Sequence, residues 1–582
     1  MSIQLSSQRL LYYTYYFYLN TGNKSNMTIK RLHFDNVENS ERVFTDEFNE
    51  FLIALHDKLG ARVLTLRKNR DFCLKQALAG KQPTHLPPSV ATTENWTIDP
   101  IPDELRTPGI EISGPSSIRP MLINALNPAK DGDRAEGDLD DDEDSGGHRL
   151  IDTVNSAINR LEATLGTLEH YDSNRDKRYQ LQPGKLPFFM HRERGLHLDE
   201  PDVTIDGKPI SASILGTALT IFHAGREQIK KDQTIYFYVP KLESALEARW
   251  YRDLFDAATE HLDIPKSSIK AIALVESLPL VYQMEEVLYE LGPYAAGLNA
   301  ARWDLKASIF EFIMADPDSV WPDRFGVAVP TTKFLANIFR RLVAICLKHN
   351  AVAIGGMATP LPSRDPEVNE SASKSIRGDK EWEAKQGFLR AWVAHIFHMQ
   401  VAAEPFKKWH SGWQPTEDMK NPDNYPVSIE VPEGPVTIEG TRRNVRMVIE
   451  YLEGWLNGRG AKGIDSLEGQ SGIHPALMED LATGRMSVAQ IAQRIIHAVK
   501  GSDTGEIHNY DTVKKIVKDQ LDDILRIREE SGVLDSGMKQ RYEDAFKITL
   551  KWIKNYTEYN FRSLGTYTHE DLKEIAIAPS AF

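Results

Sequence analysis

The sequence predicts an α/β fold in which a closed (β/α)8 barrel lies between an N-terminal helical region and a C-terminal helical domain. From residue 150 to about residue 400, apolar runs long enough for one buried strand alternate with segments of helical period. The clearest unit runs from Ile269–Val275, through the helical-period segment Leu280–Leu291, to the stretch Ala295–Trp303. Repeated βα units over such a length favour a parallel barrel over an open sheet.

Three regions follow from the distribution of these signals. Residues 1–109 are predicted to be an N-terminal extension and a helical region, because apolar positions recur with helical period between residues 40 and 90. Residues 110–423 are predicted to form the barrel domain. A segment rich in proline and glycine, Asn424–Gly440, marks the next boundary, so that the helical domain spans residues 424–582.

The beginning of the predicted barrel is its least regular part. Met121–Asn127 is an apolar stretch that predicts a strand or the edge of one. The tract that follows, residues 128–148, is strongly acidic and contains glycine. A buried parallel strand reads as a continuous apolar run, and burial of an unpaired carboxylate costs several kcal/mol. We therefore expect an acidic loop at residues 128–148 and a degraded first barrel strand.

Composition excludes several classes of function. The 582 residues are 41% apolar and 26% charged, which is ordinary for a globular protein. The net charge of −14 argues against a nucleic-acid partner and against docking to anionic membranes. No stretch holds the roughly 18 consecutive apolar residues that a membrane helix needs. The two cysteines, Cys73 and Cys346, provide no disulfide framework, which favours a reducing compartment.

The two ends of the chain bear on its location. Leu10–Leu19 is short and rich in tyrosine, and no cleavage site of small residues follows it, so we expect an extension ahead of a second start at Met27 rather than a signal peptide. The C-terminal tripeptide Ser580-Ala581-Phe582 is only faintly similar to a peroxisomal address, because its middle residue is not basic. We expect a cytoplasmic or peroxisomal protein.

Glu276 and Asp304 are the candidate metal ligands. Each acid closes one of two successive apolar stretches, at the face of a barrel where chemistry occurs. Taken singly, each acid is a polar residue at the end of a strand. Taken together, two carboxylates on neighbouring strand ends suit a hard, oxygen-preferring cation such as Mg²⁺.

Several motifs carry a resemblance to one enzyme family, and they occur in the order that the family has. They are Arg192-Glu193-Arg194-Gly195-Leu196-His197-Leu198, Tyr236-Phe237-Tyr238-Val239-Pro240-Lys241, Leu274-Val275-Glu276-Ser277-Leu278-Pro279, Gly297-Leu298-Asn299 with Arg302-Trp303-Asp304, Gly355-Gly356-Met357-Ala358, and Leu477-Met478-Glu479-Asp480. The chain resembles malate synthase in its shorter isoform, over residues 110–400 and 435–500. The resemblance implies a TIM barrel.

The resemblance also implies an activity. Malate synthases join glyoxylate to acetyl-CoA and hydrolyse the thioester to give malate and CoA. This is an acyl transfer, with the acyl group converted to an alkyl group, that belongs to the glyoxylate cycle and is linked to the tricarboxylic acid cycle. Acetyl-CoA and glyoxylate would be the partners, and Mg²⁺ the cofactor.

Roles for individual residues follow from the same resemblance. Asp480 would be the base that takes the methyl proton of acetyl-CoA; without the family it would read as an acid at the start of a helix. Arg194 would stabilise the enolate, with Arg192 as the alternative. Glu276 and Asp304 would hold the metal. Substrate binding would involve the neighbouring residues Arg302 and Trp303, together with Arg192.

The chain also departs from the family pattern. The family's Asp-Phe-Glu-Asp-Ser corresponds here to Asp141-Asp142-Glu143-Asp144-Ser145, which makes Asp141 and Glu143 possible site residues, although the preceding residues are polar. After Asp480, the expected Ala-Ala-Thr-Ala-Glu-Ile-Ser is replaced by Leu481–Ser487 (LATGRMS). Two alternatives therefore stay open: a catalytically silent paralogue that acts in binding or assembly, and a malyl-CoA-type lyase.

Overall fold

A computed structural model describes residues 31–465 and 475–561, together with Asp571 and Ile575. The predictions for Leu10–Leu19, for a start at Met27 and for the C-terminal tripeptide concern residues outside these ranges. Within the described part of the chain, no helix combines the length and the apolar character needed to cross a membrane.

Eight parallel strands of the described chain close into a barrel in sequence order. They are β1 (Gly109–Pro115), β2 (Gly137–Asp141), β3 (Phe188–Arg192), β4 (Ile235–Val239), β5 (Ile269–Val275), β6 (Ala295–Ala300), β7 (Val352–Ala358) and β8 (Arg390–Val393). Pairing of β8 with β1 completes the ring. The prediction of a (β/α)8 barrel is confirmed.

Helices surround the barrel and continue beyond it. The longer ones are α1 (Asp46–Leu78), α2 (Arg119–Leu126), α3 (Leu150–Leu165), α4 (Ala212–Leu219), α5 (Ala245–Leu262), α6 (Met284–Glu290), α7 (Arg302–Ile313), α8 (Lys333–Lys348), α9 (Pro366–Gln386), α10 (Met399–Trp409), α11 (Ile438–Leu456), α12 (Leu481–Ile496), α13 (Tyr510–Glu530) and α14 (Ser536–Thr557). The N-terminal and C-terminal helical regions are thus present as predicted.

The expectation of a degraded first strand is wrong, and the acidic loop expected at residues 128–148 is present only in part. β1 is intact, and Gly137–Asp141, in the middle of the acidic tract, form β2, in which every residue is buried. Residues 128–136 and 142–148 contain no helix or strand. β2 pairs in parallel with β1 on one side and with β3 on the other. The centre of the acidic tract is therefore part of the barrel wall.

Partners from neighbouring elements explain how β2 can be buried. Arg160 of α3 donates to Asp140 at 2.6 Å, and His191 of β3 lies 2.7 Å from the same carboxylate. Asp138 has no such partner, and its burial beside Asp140 and Glu111 raises its pKa well above the usual value, which favours the neutral acid. The sequence argument assumed unpaired charges, whereas these acids are paired or protonated.

The strand expected at Met121–Asn127 is also wrong, because this segment lies in α2. A proline stands in the first turn of α2, where a missing N–H costs nothing. Leu122, Ile123 and Leu126 of α2 pack with Phe189 in a small apolar cluster. A short apolar run does not distinguish strand from helix by periodicity, and the proline was the stronger signal.

The N-terminal helix α1 lies across the barrel face. Arg67 of α1 donates to the backbone carbonyls of Leu196 and Leu198, just after β3, and pairs with Asp199. One turn further on, Arg70 donates to Glu247 and to the backbone carbonyl of Lys241. These contacts place the last third of α1 beside the loops at the carboxyl ends of the strands.

The C-terminal helices dock on the barrel through buried polar contacts. Arg494 of α12 donates to Asp323, in the segment between α7 and α8, at 2.6 Å. Gln490 of α12 donates to the backbone carbonyl of Pro322 at 2.7 Å. α12 also packs along α7. As a result, the start of α12, and Asp480 before it, is held against the mouth of the barrel.

Candidate active site

Charged side chains converge at the carboxyl ends of the barrel strands. Asp144 follows β2, Lys241 follows β4, and Glu276 follows β5 directly. Asp304 was expected to close a strand, which is wrong, because β6 ends at Ala300 and Asp304 lies in the first turn of α7. The apolar stretch that suggested the strand includes Trp303, which belongs to the helix.

Three carboxylates form a compact cluster around one ammonium group. One oxygen from each of Asp144, Glu276 and Asp304 lies within 4.8 Å of the others. Lys241 Nζ is 3.0 Å from Asp144 Oδ1 and 3.5 Å from Glu276 Oε2, and it donates a short hydrogen bond to Asp304 Oδ2. All four residues are buried. One ammonium group thus faces three acids.

The pKa shifts reflect this imbalance. Burial, together with the nearby carboxylates of Asp304 and Asp144, raises the pKa of Glu276 to about 8, even though Lys241 opposes the shift. Burial alone would lower the pKa of Lys241, but the surrounding acids raise it well above the usual value. Burial and the neighbouring acids thus oppose loss of the proton from Glu276, while the same acids keep Lys241 charged.

The backbone at Lys241 is unusual. Its φ of 54° lies in the left-handed region, which costs a non-glycine residue roughly 1 kcal/mol. The backbone N–H of Lys241 donates to Glu276 Oε1, and its carbonyl accepts from Arg70. Such strain is characteristic of functional sites, where the surrounding contacts hold a residue in a demanding position.

The donor set fits a hard divalent cation. Three carboxylates offer oxygen ligands, which Mg²⁺ prefers. Within the described part of the chain, the buried Glu276 Oε2 accepts no hydrogen bond, and its nearest cation is Lys241 Nζ at 3.5 Å, so that this oxygen could still take a ligand. The sequence prediction named Glu276 and Asp304 and missed Asp144. The signal for Asp144 was its place in the acidic motif at residues 141–145.

Arg192 faces this cluster. It donates to both oxygens of Asp141 at 2.7 Å, and its Nη1 lies 3.1 Å from Asp144 Oδ2. Burial would raise the pKa of Asp141, but Arg192 holds it at about 2. The guanidinium carbon also lies 5.4 Å from the centre of the Trp392 ring. Arg192 is thus a buried cation in a fixed orientation beside the acid cluster.

Arg194 and Glu143 have other partners. Arg194 Nη2 donates to Glu200 at 2.6 Å and to Thr153 at 3.0 Å, which compensates its charge. Glu143 accepts from the backbone N–H of Gly195 at 2.5 Å. Burial and the neighbouring Asp144 raise the pKa of Glu143 to about 8. Asp141 and Glu143 thus lie next to the acid cluster, Asp141 as the partner of Arg192.

Arg302 and Trp303 lie at the start of α7. Arg302 pairs with Asp379 at 2.8 Å and with Glu383, both on α9. Lys306 Nζ lies 4.9 Å from the centre of the Trp303 ring. The Arg302 guanidinium is thus bound to α9, whereas the first backbone N–H groups of α7 lie beside Asp304.

Asp480 precedes α12 and caps it. Its Oδ1 accepts from the backbone N–H groups of Ala482 and Thr483 at 3.1 and 3.3 Å. Burial, with Asp144 and Asp304 close by, raises the pKa of Asp480 well above the usual value. Asp480 is thus the acid at the start of a helix that the sequence suggested, and it also lies close to the acid cluster.

A cavity of about 230 Å³ opens onto the cluster. Arg70 and Asp71 of α1 line it, together with the aromatic side chains of Phe312 and Phe561. Arg485 of α12 lies in the same wall. Sequence reasoning did not identify these lining residues, because they come from segments far apart in the chain. The fold and the site together define a (β/α)8 barrel protein with a buried cluster of acids around a lysine at its mouth, where residues of the N-terminal and C-terminal helices also line the cavity.

Comparisons with known proteins all point to one enzyme family. Residues 188–430 match the family model "Malate synthase, TIM barrel domain", and residues 435–569 match "Malate synthase, C-terminal". The malate synthase of Myxococcus xanthus is 35% identical over 507 residues, which cover 86% of this chain and 88% of that protein. Malate synthase A of Escherichia coli is 34% identical over 69% of this chain and 73% of its own length. The glyoxysomal malate synthase of Ricinus communis is 32% identical over 81% and 82%. The chain belongs to the malate synthase family.

Proposed function

We propose that this protein is an active malate synthase, which condenses acetyl-CoA with glyoxylate and hydrolyses the thioester to malate and CoA. The observation that carries the proposal is the convergence of Asp480, Arg192 and the carboxylate cluster at the barrel mouth of a chain that belongs to this family. Each of these groups suits one requirement of the reaction.

The cation would be Mg²⁺, held by Glu276 and Asp304 with Asp144 beside them. When bound, it would supply a Lewis acid for the carbonyl oxygen of glyoxylate and positive charge for its carboxylate. The backbone N–H groups at the start of α7 would orient the same carboxylate, since a helix N-terminus favours an anion.

Asp480 would act as the general base. Its carboxylate takes a proton from the methyl group of acetyl-CoA, and the electron pair of that C–H bond forms the enolate. Burial that raises the pKa of Asp480 strengthens it as a base, because the protonated acid is then favoured after transfer. Two backbone N–H donors hold the carboxylate in one orientation.

Arg192, rather than Arg194, would stabilise the enolate oxygen. Asp141 holds the Arg192 guanidinium through two hydrogen bonds, so that the charge is oriented before the reaction begins. The charge of Arg194 is instead compensated by Glu200. The charge of Arg302 is likewise compensated, by Asp379 and Glu383 of α9. Arg302 would therefore hold α9 at the mouth of the barrel rather than bind substrate.

The carbon–carbon bond then forms between the enolate carbon and the aldehyde carbon of glyoxylate. Water attacks the resulting thioester, and the carbon–sulfur bond breaks to release CoA as a thiol. The oxygen of the water stays on the acyl carbon as part of the new carboxylate, and one of its protons goes to the sulfur of CoA.

The silent-paralogue alternative relied on a degraded first strand. The described chain contains β1 and β2 intact, so that this support is gone.

We also propose a cytoplasmic or peroxisomal location, because the relatives include a glyoxysomal plant enzyme and bacterial enzymes.

An assay of free thiol and of malate tests the proposal. Purified protein with acetyl-CoA, glyoxylate and Mg²⁺ should release one CoA for each malate formed, and omission of either substrate should abolish the release. A malyl-CoA-type lyase would instead form acetyl-CoA and glyoxylate from malyl-CoA without release of free thiol. Absence of CoA release from the well-folded protein would remove the proposal.

A further inference from the structure

Arg485 connects the helix that follows Asp480 to the acid cluster. It lies in the second turn of α12, and its guanidinium lines the same cavity as Lys241 and Glu276. Its Nη1 donates to Asp304 Oδ1 at 3.3 Å. The other oxygen of Asp304 accepts from Lys241. Both oxygens of this carboxylate therefore face a cation from the protein.

Glu311 competes with Asp304 for the same guanidinium. Arg485 Nε donates to Glu311 Oε1 at 2.8 Å, and Nη2 donates to Oε2 at 2.5 Å. This contact is bidentate and short, whereas the contact with Asp304 is single and longer. Tyr556 of α14 donates to Glu311 at 2.9 Å and fixes it from a second direction. The guanidinium of Arg485 is thus held mainly by Glu311 and makes only a weak contact with Asp304.

The two acids lie on one face of one helix. Asp304 and Glu311 are both in α7 and are separated by two turns, so their side chains project in the same direction. Arg485 bridges them from α12. The guanidinium is largely buried, with 20% of the side chain exposed. At this degree of burial, a single charge affects its neighbours more strongly than it would in water.

We propose that Arg485 is a positioning residue, which fixes α12, with Asp480 at its start, against α7, and whose guanidinium competes with a divalent cation for the carboxylate of Asp304. The bidentate contact with Glu311 holds the guanidinium away from Asp304 and so limits this competition. This inference rests on the proposed function, because it assigns the residue to the cation site of that reaction.

Charge and position can be separated with three variants. Arg485→Gln removes a positive charge from beside Asp304, so that Mg²⁺ should bind about 3- to 10-fold more tightly. Its kcat should fall at least about tenfold, because the start of α12 loses its side-chain contact with α7. Glu311→Gln frees the guanidinium to approach Asp304, so that Mg²⁺ should bind more weakly by a similar factor. Arg485→Lys keeps the charge but cannot span both acids; its Mg²⁺ affinity should stay within about twofold and its kcat should still fall.

The experiment is a calorimetric titration of the full-length protein with Mg²⁺ in the absence of substrates, together with kcat at saturating Mg²⁺ and a thermal melt of each variant. Tighter Mg²⁺ binding by Arg485→Gln together with weaker binding by Glu311→Gln, with both variants folded, supports the proposal. Shifts in the reverse directions, shifts of the same sign, or no shift in either variant overturn it. If a glutamine variant does not fold, Arg485→Lys decides alone, because an unchanged kcat contradicts a positioning role. Absence of Mg²⁺ binding by the wild type would instead remove the proposed cation site, and this inference with it.

Discussion

Asp141 and Arg192 are register partners on neighbouring barrel strands, and two hydrogen bonds of 2.7 Å join their side chains. The acid belongs to the tract whose composition suggests a loop, and the arginine to the motif that suggests an active site. Their pairing orients the Arg192 guanidinium towards Asp144 and the acid cluster. The burial of an acidic strand and the fixed orientation of a buried arginine are thus two consequences of one contact.

Exchange of this arginine should affect the reaction more than exchange of its neighbour. Arg192→Lys should lower kcat by about 100-fold or more, because lysine cannot reproduce the two-point contact with Asp141 and the transition-state charge loses a fixed partner. Arg194→Lys is the matched control. It should mainly lower the melting temperature, and its kcat should fall less than that of Arg192→Lys. Steady-state kinetics and thermal melts of both variants provide the comparison, and a larger loss of kcat in Arg194→Lys than in Arg192→Lys would contradict the assignment.

Binding of Mg²⁺ should stabilise the folded protein. At a concentration of about 100 times its Kd, a ligand that binds only the native state adds about 2.7 kcal/mol to the free energy of unfolding. Glu276→Gln should abolish this gain, because it removes a charged ligand from the cluster. Asp379→Asn, which alters an acid outside the cluster, should keep it. Thermal melts with and without Mg²⁺ measure the effect, and an equal gain in Glu276→Gln would show that the cation binds elsewhere.

Loss of Arg160 should destabilise the barrel. This buried arginine lies 2.6 Å from Asp140, 3.0 Å from Asp142 and 2.8 Å from Glu193. Arg160→Met leaves these acids without their cation, which should cost about 3–5 kcal/mol. Arg175→Met, at a position with 75% of its side chain exposed, is the control and should cost less than about 1 kcal/mol. Similar urea midpoints for the two variants would contradict this account of β2.

Acid should weaken the fold in part through His398. Burial and the nearby His395 lower the pKa of His398 to about 4, so that the folded protein holds this ring neutral. The unfolded chain takes up a proton below about pH 6.5. Stability should therefore fall as the pH drops from about 6.5 towards 4, and it should be insensitive to this group above that range. The melting temperature of His398→Asn should depend less on pH over this range than that of the wild type, and parallel curves would exclude the effect.

The sequence predicted the barrel because β4 and β5 read as continuous apolar runs, which report burial on both faces directly. It failed at β2, since the partners of its buried acids, Arg160 and His191, come from other elements and cannot be seen in a local stretch of sequence. A pattern of residue types shows which side chains a segment can bury by itself. It does not show which of its buried charges are paired with residues from other elements.

The candidate site shows the same division. Glu276 was predictable because it follows a strand of clear apolar character. Asp144 was missed because its strand was not recognised. The sequence placed Arg194 ahead of Arg192 as the partner of the enolate, and our proposal reverses this order because of the contacts with Asp141 and Glu200. Arg485 and Glu311 meet across 174 residues of sequence, and no spacing rule links them.

The central claim is that Asp480 is the base that takes a proton from acetyl-CoA. Its most direct test is the rate of malate formation by Asp480→Asn at saturating acetyl-CoA, glyoxylate and Mg²⁺. We expect the variant to melt near the wild-type temperature, because asparagine also caps a helix, and to lose at least about 100-fold in kcat, the lower end of what a positioned base contributes. A folded Asp480→Asn variant with a kcat close to that of the wild type would contradict the mechanism.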